Sequence, residues 1–169
     1  MTLPVNSYKI FFLSINHTFP VGKEECSLLI TSRGKNALKF MLNLSLHKDG
    51  GCVKLKNVAL EEDLPEKYLE QIVSCLVKAR KVRSTRGING GYQLMRAPKD
   101  YTVGEILRCL EGDLAPSECV HTDEYTCKKR ESCYCYPLWE KLNIALNEVL
   151  EKTTLQDLID WKRKDKEGV

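Results

Sequence analysis

The chain lacks any apolar run of membrane-spanning length. Near its start, the short patch Ile10–Leu13 follows a single lysine, and no clear small-residue cleavage site comes after it, which argues against a signal peptide. These absences predict a cytoplasmic protein with no membrane partner. In that reducing compartment we expect the eight cysteines to be free thiols or metal ligands rather than disulfides.

Net charge is also scarce, because 26 Lys and Arg against 23 Asp and Glu leave only +3 over 169 residues. The length allows one domain, or one domain plus an appendage, and with 43% hydrophobic and 29% charged residues the composition suits a soluble globular protein with a core. Acids are missing altogether between Glu70 and Asp100. The same interval contains a basic block: Lys78, Arg80, Lys81, Arg83, Arg86, Arg96 and Lys99. Such a block fits either a solvated face or a surface that binds phosphates.

Catalytic groupings are missing as well. The histidines at 17, 47 and 121 are scattered, and no Ser, His and Asp constellation is present. A thiol oxidoreductase built on Cys133-Tyr134-Cys135 is the rival reading, but no C-x-x-C motif lies beside a βαβ pattern. The chain is therefore not predicted to be an enzyme.

What the chain does contain is a glycine-rich stretch, STRGINGGYQL, at 84–94. It fits either a cradle for a nucleotide phosphate or a β-hairpin that lays an arginine on a polyanion. A P-loop needs Lys-Ser/Thr after the glycines and then a helix, and neither follows here. We therefore predict strands over Lys81–Thr85 and Tyr92–Met95, with Arg86 at the tip entering a DNA minor groove.

Three helices are predicted before this hairpin. The first begins at Thr31 or Ser32 and ends at the KDGG turn, 48–51, and the second spans Val53–Leu60. The face expected to be buried in the first helix comprises Ala37, Leu38, Met41, Leu42 and Ser45.

The third helix is predicted to be capped by Asp63, with Pro65 in its first turn. Its apolar side comprises Leu69, Ile72, Val73 and Leu76. Its polar side comprises Glu66, Lys67, Glu70, Gln71, Ser74 and Lys78. Such a side is either a plain surface or one that reads base edges. Followed by a basic hairpin, it gives the element order of a winged helix-turn-helix.

After the hairpin, a Thr102–Glu105 capping box opens a fourth helix that Gly112 ends. Its buried stripe comprises Val103, Ile106, Leu107 and Leu110. Pro137 then opens a long helix whose apolar seam comprises Leu138, Leu142, Ala145, Leu146, Val149 and Leu150. This seam predicts a homodimer, the alternative being a helix folded back onto its own core. Thr154 and Asp157 are predicted to cap a last short helix.

The predicted fold class is mainly α with a small β-wing, in which a winged helix-turn-helix domain is followed by a long C-terminal dimerisation helix. The predicted boundaries are an N-terminal extension at 1–28, the winged helix-turn-helix domain at 29–112, a cysteine-rich sensor loop at 113–136, the dimerisation helix region at 137–161, and a solvated charged tail at 162–169.

Four stretches, LITSRGKNALKFML, YLEQIVSCLVKA, STRGINGGYQLMRAPKDYTVGEI and LWEKLNIALNEVLEKTTLQDLI, carry a resemblance that covers nearly all of 28–161. The sequence resembles the bacterial transcription regulators typified by the iron–sulfur cluster regulator IscR and the cysteine-metabolism repressor CymR. The resemblance implies a dimeric winged-helix regulator of double-stranded DNA, with Lys67, Glu70 and Gln71 facing base edges. The DNA-contact residues assigned on this basis are Lys67, Glu70, Gln71, Ser74, Arg83, Arg86, Gly87, Gly90, Gly91 and Tyr92.

The chain departs from the family pattern at three places. Arg80 and Lys81 stand where the family has a glycine and a leucine, so a left-handed cap residue and a buried hydrophobe are missing. Pro65 stands where a capping serine is usual. Residues 1–27 lie outside the pattern, and we hypothesise that translation starts near Leu28; an intact mass that includes residues 1–27 would reject this.

Thiols crowd the predicted sensor loop, where they can converge on a metal or cluster. The resemblance implies iron–sulfur ligation by Cys119, Cys127 and Cys133. The fourth ligand stays open between Cys135, His121 and a residue of the partner subunit, because Tyr136 replaces the histidine of the IscR type. We expect a 2Fe–2S cluster ahead of 4Fe–4S. The alternatives are a zinc site and a metal-free repressor controlled by a regulatory protein partner.

Overall fold

The computed structural model describes residues 30–47, 51–121, 127 and 129–167, of which residues 165–167 are described by their backbone alone. Within these ranges the elements are α1 (Ser32–Leu46), α2 (Leu55–Glu61), α3 (Glu66–Lys78), β1 (Val82–Thr85), β2 (Gly91–Leu94), α4 (Val103–Glu111), α5 (Tyr136–Lys152) and α6 (Leu155–Glu167). The mainly α fold with a small β-wing is thus confirmed. The predicted extension 1–28 and most of the turn at 48–51 lie outside the described residues.

Helix α1 begins where predicted, with Thr31 as N-cap accepting a hydrogen bond from the Arg33 N–H at 3.1 Å. Its buried face is rotated from the predicted one, since Phe40 and Leu44 lie in the core while Leu42 is only half-buried. The cause is tertiary: the Phe40 ring packs edge-on against Tyr92 of the wing, with centroids 6.0 Å apart.

Helix α2 begins two residues later than predicted because Val53 belongs to the sheet. Its N–H donates to the Tyr92 carbonyl and its carbonyl accepts from the Tyr92 N–H, each at 2.8 Å. This isolated antiparallel bridge adds a third segment to the β1–β2 ladder, which pairs Val82 with Leu94 and Thr85 with Gly91. The chain entering α2 is therefore fixed to the wing.

Helix α3 buries the four predicted residues, Leu69, Ile72, Val73 and Leu76. The predicted cap is wrong: Asp63 lies outside the helix at φ 52°, and Pro65 is the N-cap without a side-chain bond. Proline has no side-chain acceptor for the first N–H groups of the helix, and its fixed φ sets the direction in which the chain enters α3.

Helix α3 ends just before the position where the family pattern has a glycine and this chain has Arg80. Arg80 itself adopts the left-handed conformation, at φ 54°. Its N–H donates to the Val77 carbonyl at 3.0 Å, and the Lys81 N–H donates to the Leu76 carbonyl at 2.9 Å. These two bonds form a Schellman motif, with an arginine in the position that favours glycine.

Helix α4 has Thr102 as its N-cap, whose hydroxyl accepts from the Glu105 N–H at 3.1 Å, and Gly112 as its C-cap. The predicted capping box is only half formed, because the Glu105 carboxylate binds cations of the wing instead. Val103, Ile106 and Leu107 are buried as predicted, whereas Leu110 is half-buried.

The C-terminal part consists of two helices that meet at Thr153. Thr154 and Asp157 form the predicted cap of α6, with the Thr154 hydroxyl donating to the Asp157 carboxylate at 2.6 Å. Leu155 and Ile159 are buried in the protomer core. Residues 162–167, predicted as a charged tail, continue α6. Among the described residues, no helix is both long and apolar enough to cross a bilayer.

Candidate nucleic-acid interface

The polar side of α3 lies entirely outside the protomer core. Leu69, Ile72, Val73 and Leu76 hold the opposite side against α1, α2 and α4. The outward residues assigned to base contact are all exposed: Lys67, Glu70, Gln71 and Ser74. A helix held by one apolar stripe and free on the other side has the form needed to enter a major groove.

The wing projects Arg86 at its tip, between the two strands. Gly87 takes φ 109°, which favours glycine, and its carbonyl accepts from the Gly90 N–H at 2.9 Å, closing the turn. Arg83 and Arg86 are both exposed. The strands thus carry two guanidinium groups to the outside of the protomer.

Gly91 and Tyr92, also assigned to DNA contact, have roles inside the protomer. A side chain at Gly91 would collide with the Val53 backbone carbonyl, which is bonded to the Tyr92 N–H. The Tyr92 ring is half-buried against Phe40. These residues let the wing root approach the strand-like segment at Val53.

The basic block divides into paired and unpaired cations. The ammonium of Lys81 and the guanidinium of Arg96 both bind the Glu105 carboxylate, at 2.6 and 2.5 Å. The remaining five have no acidic partner in the part of the chain that the structure describes: Lys78, Arg80, Arg83, Arg86 and Lys99. Unpaired cations are the ones available for phosphates.

Tyr101, which the sequence did not single out, anchors the wing. Its hydroxyl accepts from the backbone N–H groups of Met95 and Arg96, each at 2.9 Å, and donates to the Lys81 carbonyl at 2.7 Å. The ring is fully buried, and the Arg96 guanidinium lies 4.3 Å from its centroid. Both ends of the hairpin are therefore tied to one side chain. A signal that could have found it is its position directly before the capping threonine of α4, where an apolar residue often packs against the first turn of the helix.

The loop between α4 and α5 distributes its cysteines over separate turns. Cys119 lies in a 3₁₀ turn, with its Sγ 3.2 Å from the Ser117 hydroxyl, while Cys133 follows a second such turn. Cys119, Cys127 and Cys133 are half-buried free thiols, and Cys135 is the exposed N-cap of α5.

No three His, Cys, Asp or Glu side chains among the described residues are placed to hold a metal ion. His121, a candidate fourth ligand, has its Nδ1 3.1 Å from the Asp113 carboxylate. The thiols suit a cluster chemically, and among the described residues of a single chain they are not gathered at one point.

The seam of α5 is divided between the inside and the outside of the protomer. Leu150 is buried and Leu146 packs beside it, in a cluster with Val103 and Leu107 of α4. In contrast, Leu138, Leu142 and Val149 are 53%, 43% and 62% exposed. Together with exposed Ala145, these three form a continuous apolar stripe on the outer side of the helix.

This arrangement is similar to that of known transcription regulators. Residues 30–161 match the family described as Rrf2: Iron-dependent Transcriptional regulator. The chain is 38% identical over 139 residues to the HTH-type transcriptional regulator CymR of Bacillus subtilis, covering 82% of this chain and 95% of that relative. The solved structure of CymR, the global cysteine regulator of B. subtilis, gives a TM-score of 0.65 at 41% identity, covering 79% of this chain and 97% of that one.

A second similarity is to the HTH-type transcriptional regulator IscR of Sodalis glossinidius, at 31% identity over 130 residues, covering 77% of this chain and 78% of that relative. These relatives are transcription regulators rather than enzymes. The chain is thus similar both to CymR, described as a global cysteine regulator, and to IscR.

Proposed function

The chain belongs to the Rrf2 family of transcription regulators, and from this premise we propose that it binds operator DNA as a homodimer. Lys67, Glu70, Gln71 and Ser74 read base edges in the major groove. Arg83, Arg86 and Gly87 contact the backbone and minor groove, while Gly90, Gly91 and Tyr92 shape the wing.

The observation that carries this proposal is the sorting of charge around Glu105. Lys81 and Arg96 are neutralised within the protomer, whereas the cations on the outer edge of the wing and at the end of α3 have no acidic partner among the residues that the structure describes. A cation with no internal partner gains most from a phosphate, since it has no ion pair to break. A merely solvated face would not require this division.

Dimerisation through the outer stripe of α5 supports the same proposal. Leu138, Leu142 and Val149 would each remain more than two-fifths exposed in an isolated protomer. Complete burial of a fully exposed leucine or valine side chain is worth about 1.5–3 kcal/mol. Because these three are about half exposed, a second copy that covers the stripe gains roughly half of that for each. Two recognition helices then meet two half-sites.

Arg86→Ala tests the wing. We expect loss of specific operator binding, because the tip arginine contacts the narrow groove between two half-sites. Lys164→Ala on α6 is the matched control, since it removes the same charge from an exposed position outside the wing. Both are measured by fluorescence anisotropy with a promoter fragment over a salt series. Equal affinity of the two variants would remove the wing from the proposal.

We propose further that Cys119, Cys127 and Cys133 hold an iron–sulfur cluster that reports iron–sulfur, redox or cysteine status, a 2Fe–2S cluster before a 4Fe–4S one. Half-buried free thiols on one loop support this, provided that the loop gathers them or the partner subunit supplies a donor. Cys135 and His121 remain the candidates for the fourth ligand within the chain.

A metal-free regulator controlled by a protein partner is the second candidate. Two observations favour it: identity to CymR, at 38%, exceeds that to IscR, at 31%, and the donors are not gathered in the described residues. A zinc site is the third.

Oxygen-free purification decides between these candidates. Visible absorption with iron and sulfide that disappear in Cys127→Ala, but persist in the control Cys52→Ala, supports the cluster. A colourless protein with stoichiometric zinc supports the zinc site. A colourless, metal-free protein whose DNA binding depends on an added partner supports the second candidate.

A further inference from the structure

A cleft of about 430 Å³ lies between α1 and α6. Its apolar wall comprises Leu42 and Leu46 of α1 with Leu158 and Ile159 of α6. Leu46 is 49% exposed although it has apolar neighbours on both sides of the cleft. The volume lies in the range of small-molecule pockets, which bury an apolar body and fix it with a few polar groups.

The polar lining of this cleft is predominantly cationic. Lys39, Lys162 and Arg163 contribute three positive charges, against one carboxylate, Glu62, which already binds Lys39 at 3.4 Å. Arg163 has only a 3.8 Å contact with Asp160, between exposed side chains, and such pairs hold weakly. Lys162 has no acidic partner among the side chains that the structure describes. The α6 rim therefore offers two cations to an incoming group.

We propose that the cleft binds a small organic anion with an apolar body, a carboxylate of medium chain length. The apolar body lies along Leu42, Leu46 and Leu158, and the carboxylate is held by Lys162 and Arg163. Because the walls belong to α1 of the winged helix and to α6, such a ligand joins the two along their length. The start of α6 is already fixed, since the Leu155 N–H donates to the Tyr101 carbonyl at 3.0 Å. The ligand therefore acts on the free end of α6.

Calorimetry of the full chain with sodium octanoate tests the proposal. We expect one octanoate per protomer, and at least tenfold weaker binding of the neutral 1-octanol, because the two cations recognise charge. In the variant Lys162→Gln/Arg163→Gln, octanoate affinity should fall at least tenfold. Lys164→Gln is the matched control on the same helix, and its affinity should stay within twofold of the wild type.

Leu46→Glu places a carboxylate in the cleft and should abolish octanoate binding by repulsion. Leu46 is half-exposed near the end of α1, so the fold should survive, which the unfolding midpoint checks. Absence of octanoate binding to the wild type overturns the proposal. So does equal binding of octanol, or unchanged octanoate affinity in the Gln pair or, where folding is intact, in Leu46→Glu.

Discussion

Replacing Arg80 by glycine should make the protein more stable and lower its affinity for DNA. Arg80 occupies the left-handed position of the Schellman motif that ends α3, at φ 54°. That conformation costs an L-residue roughly 1–2 kcal/mol, whereas glycine adopts it freely. Glycine also increases the conformational entropy of the unfolded chain, which offsets about 0.5–1 kcal/mol of this stabilisation. The net expectation is about 0.5–1 kcal/mol of added stability, or a melting temperature roughly 1–4 °C higher.

The loss on the DNA side follows from the charge of the same residue. Arg80 is exposed and lies in the acid-free interval, without an acidic partner among the described residues. If it contacts one phosphate, its removal lowers the slope of log affinity against log salt by about 0.9. The loss should be similar for operator and unrelated DNA, because a phosphate contact carries no sequence information.

Thermal unfolding at one fixed protomer concentration and anisotropy titrations over a salt series measure the two effects. Arg80→Lys is the control: it keeps both the charge and the left-handed cost, so stability and salt slope should remain close to those of the wild type. A glycine variant no more stable than the wild type would refute the reasoning about the cap. An unchanged salt slope would refute the phosphate contact.

Three further predictions concern the wing root, the α6 cap and the α5 stripe. Tyr101→Phe should cost about 2 kcal/mol in chemical unfolding and slow DNA association, because buried backbone groups of the hairpin lose their partner; full stability would count against the anchor. Hydrogen bonds from the Thr154 hydroxyl and backbone N–H lower the pKa of the Asp157 carboxyl group in the folded protein. The ionised carboxylate therefore contributes its full stabilisation above the ordinary carboxyl pKa, and this contribution is lost as the pH falls through the lowered pKa of the folded state. Asp157→Asn should therefore lower the unfolding midpoint at neutral pH, with a difference that shrinks below about pH 4; a constant difference would contradict this. Leu142→Glu should give a monomer in sedimentation velocity with unchanged helicity, whereas Lys141→Glu beside it should remain a dimer.

The elements that the sequence predicted well are those governed by local periodicity. The buried set of α3 and the Gly112 end of α4 each follow from spacing along one helix, and the structure confirms them. The hairpin boundaries agree to within one residue, since the glycines that form its turn also end its strands. In these places tertiary contacts agree with local preference.

The residues that escaped prediction are those whose partner lies far along the chain. Val53 joins the sheet because Tyr92, 39 positions later, offers its N–H and carbonyl. Glu105 leaves its capping box half made because Lys81 and Arg96 converge on its carboxylate. Periodicity along the sequence cannot predict that two distant cations bind the same carboxylate. The acid-free interval therefore overstated the charge available to DNA, since two of its seven cations are already bound.

Tyr101 connects the wing to the C-terminal helices through its two ends. Its hydroxyl bonds the hairpin backbone at Lys81, Met95 and Arg96, while its carbonyl accepts from the Leu155 N–H at the start of α6. Directly beside it, the Val103 N–H donates to the Thr153 carbonyl at 2.8 Å, where α5 ends. A fully buried side chain bonded at three points cannot shift without breaking those bonds. One residue therefore holds the root of the wing through its side-chain hydroxyl and the start of α6 through its backbone carbonyl.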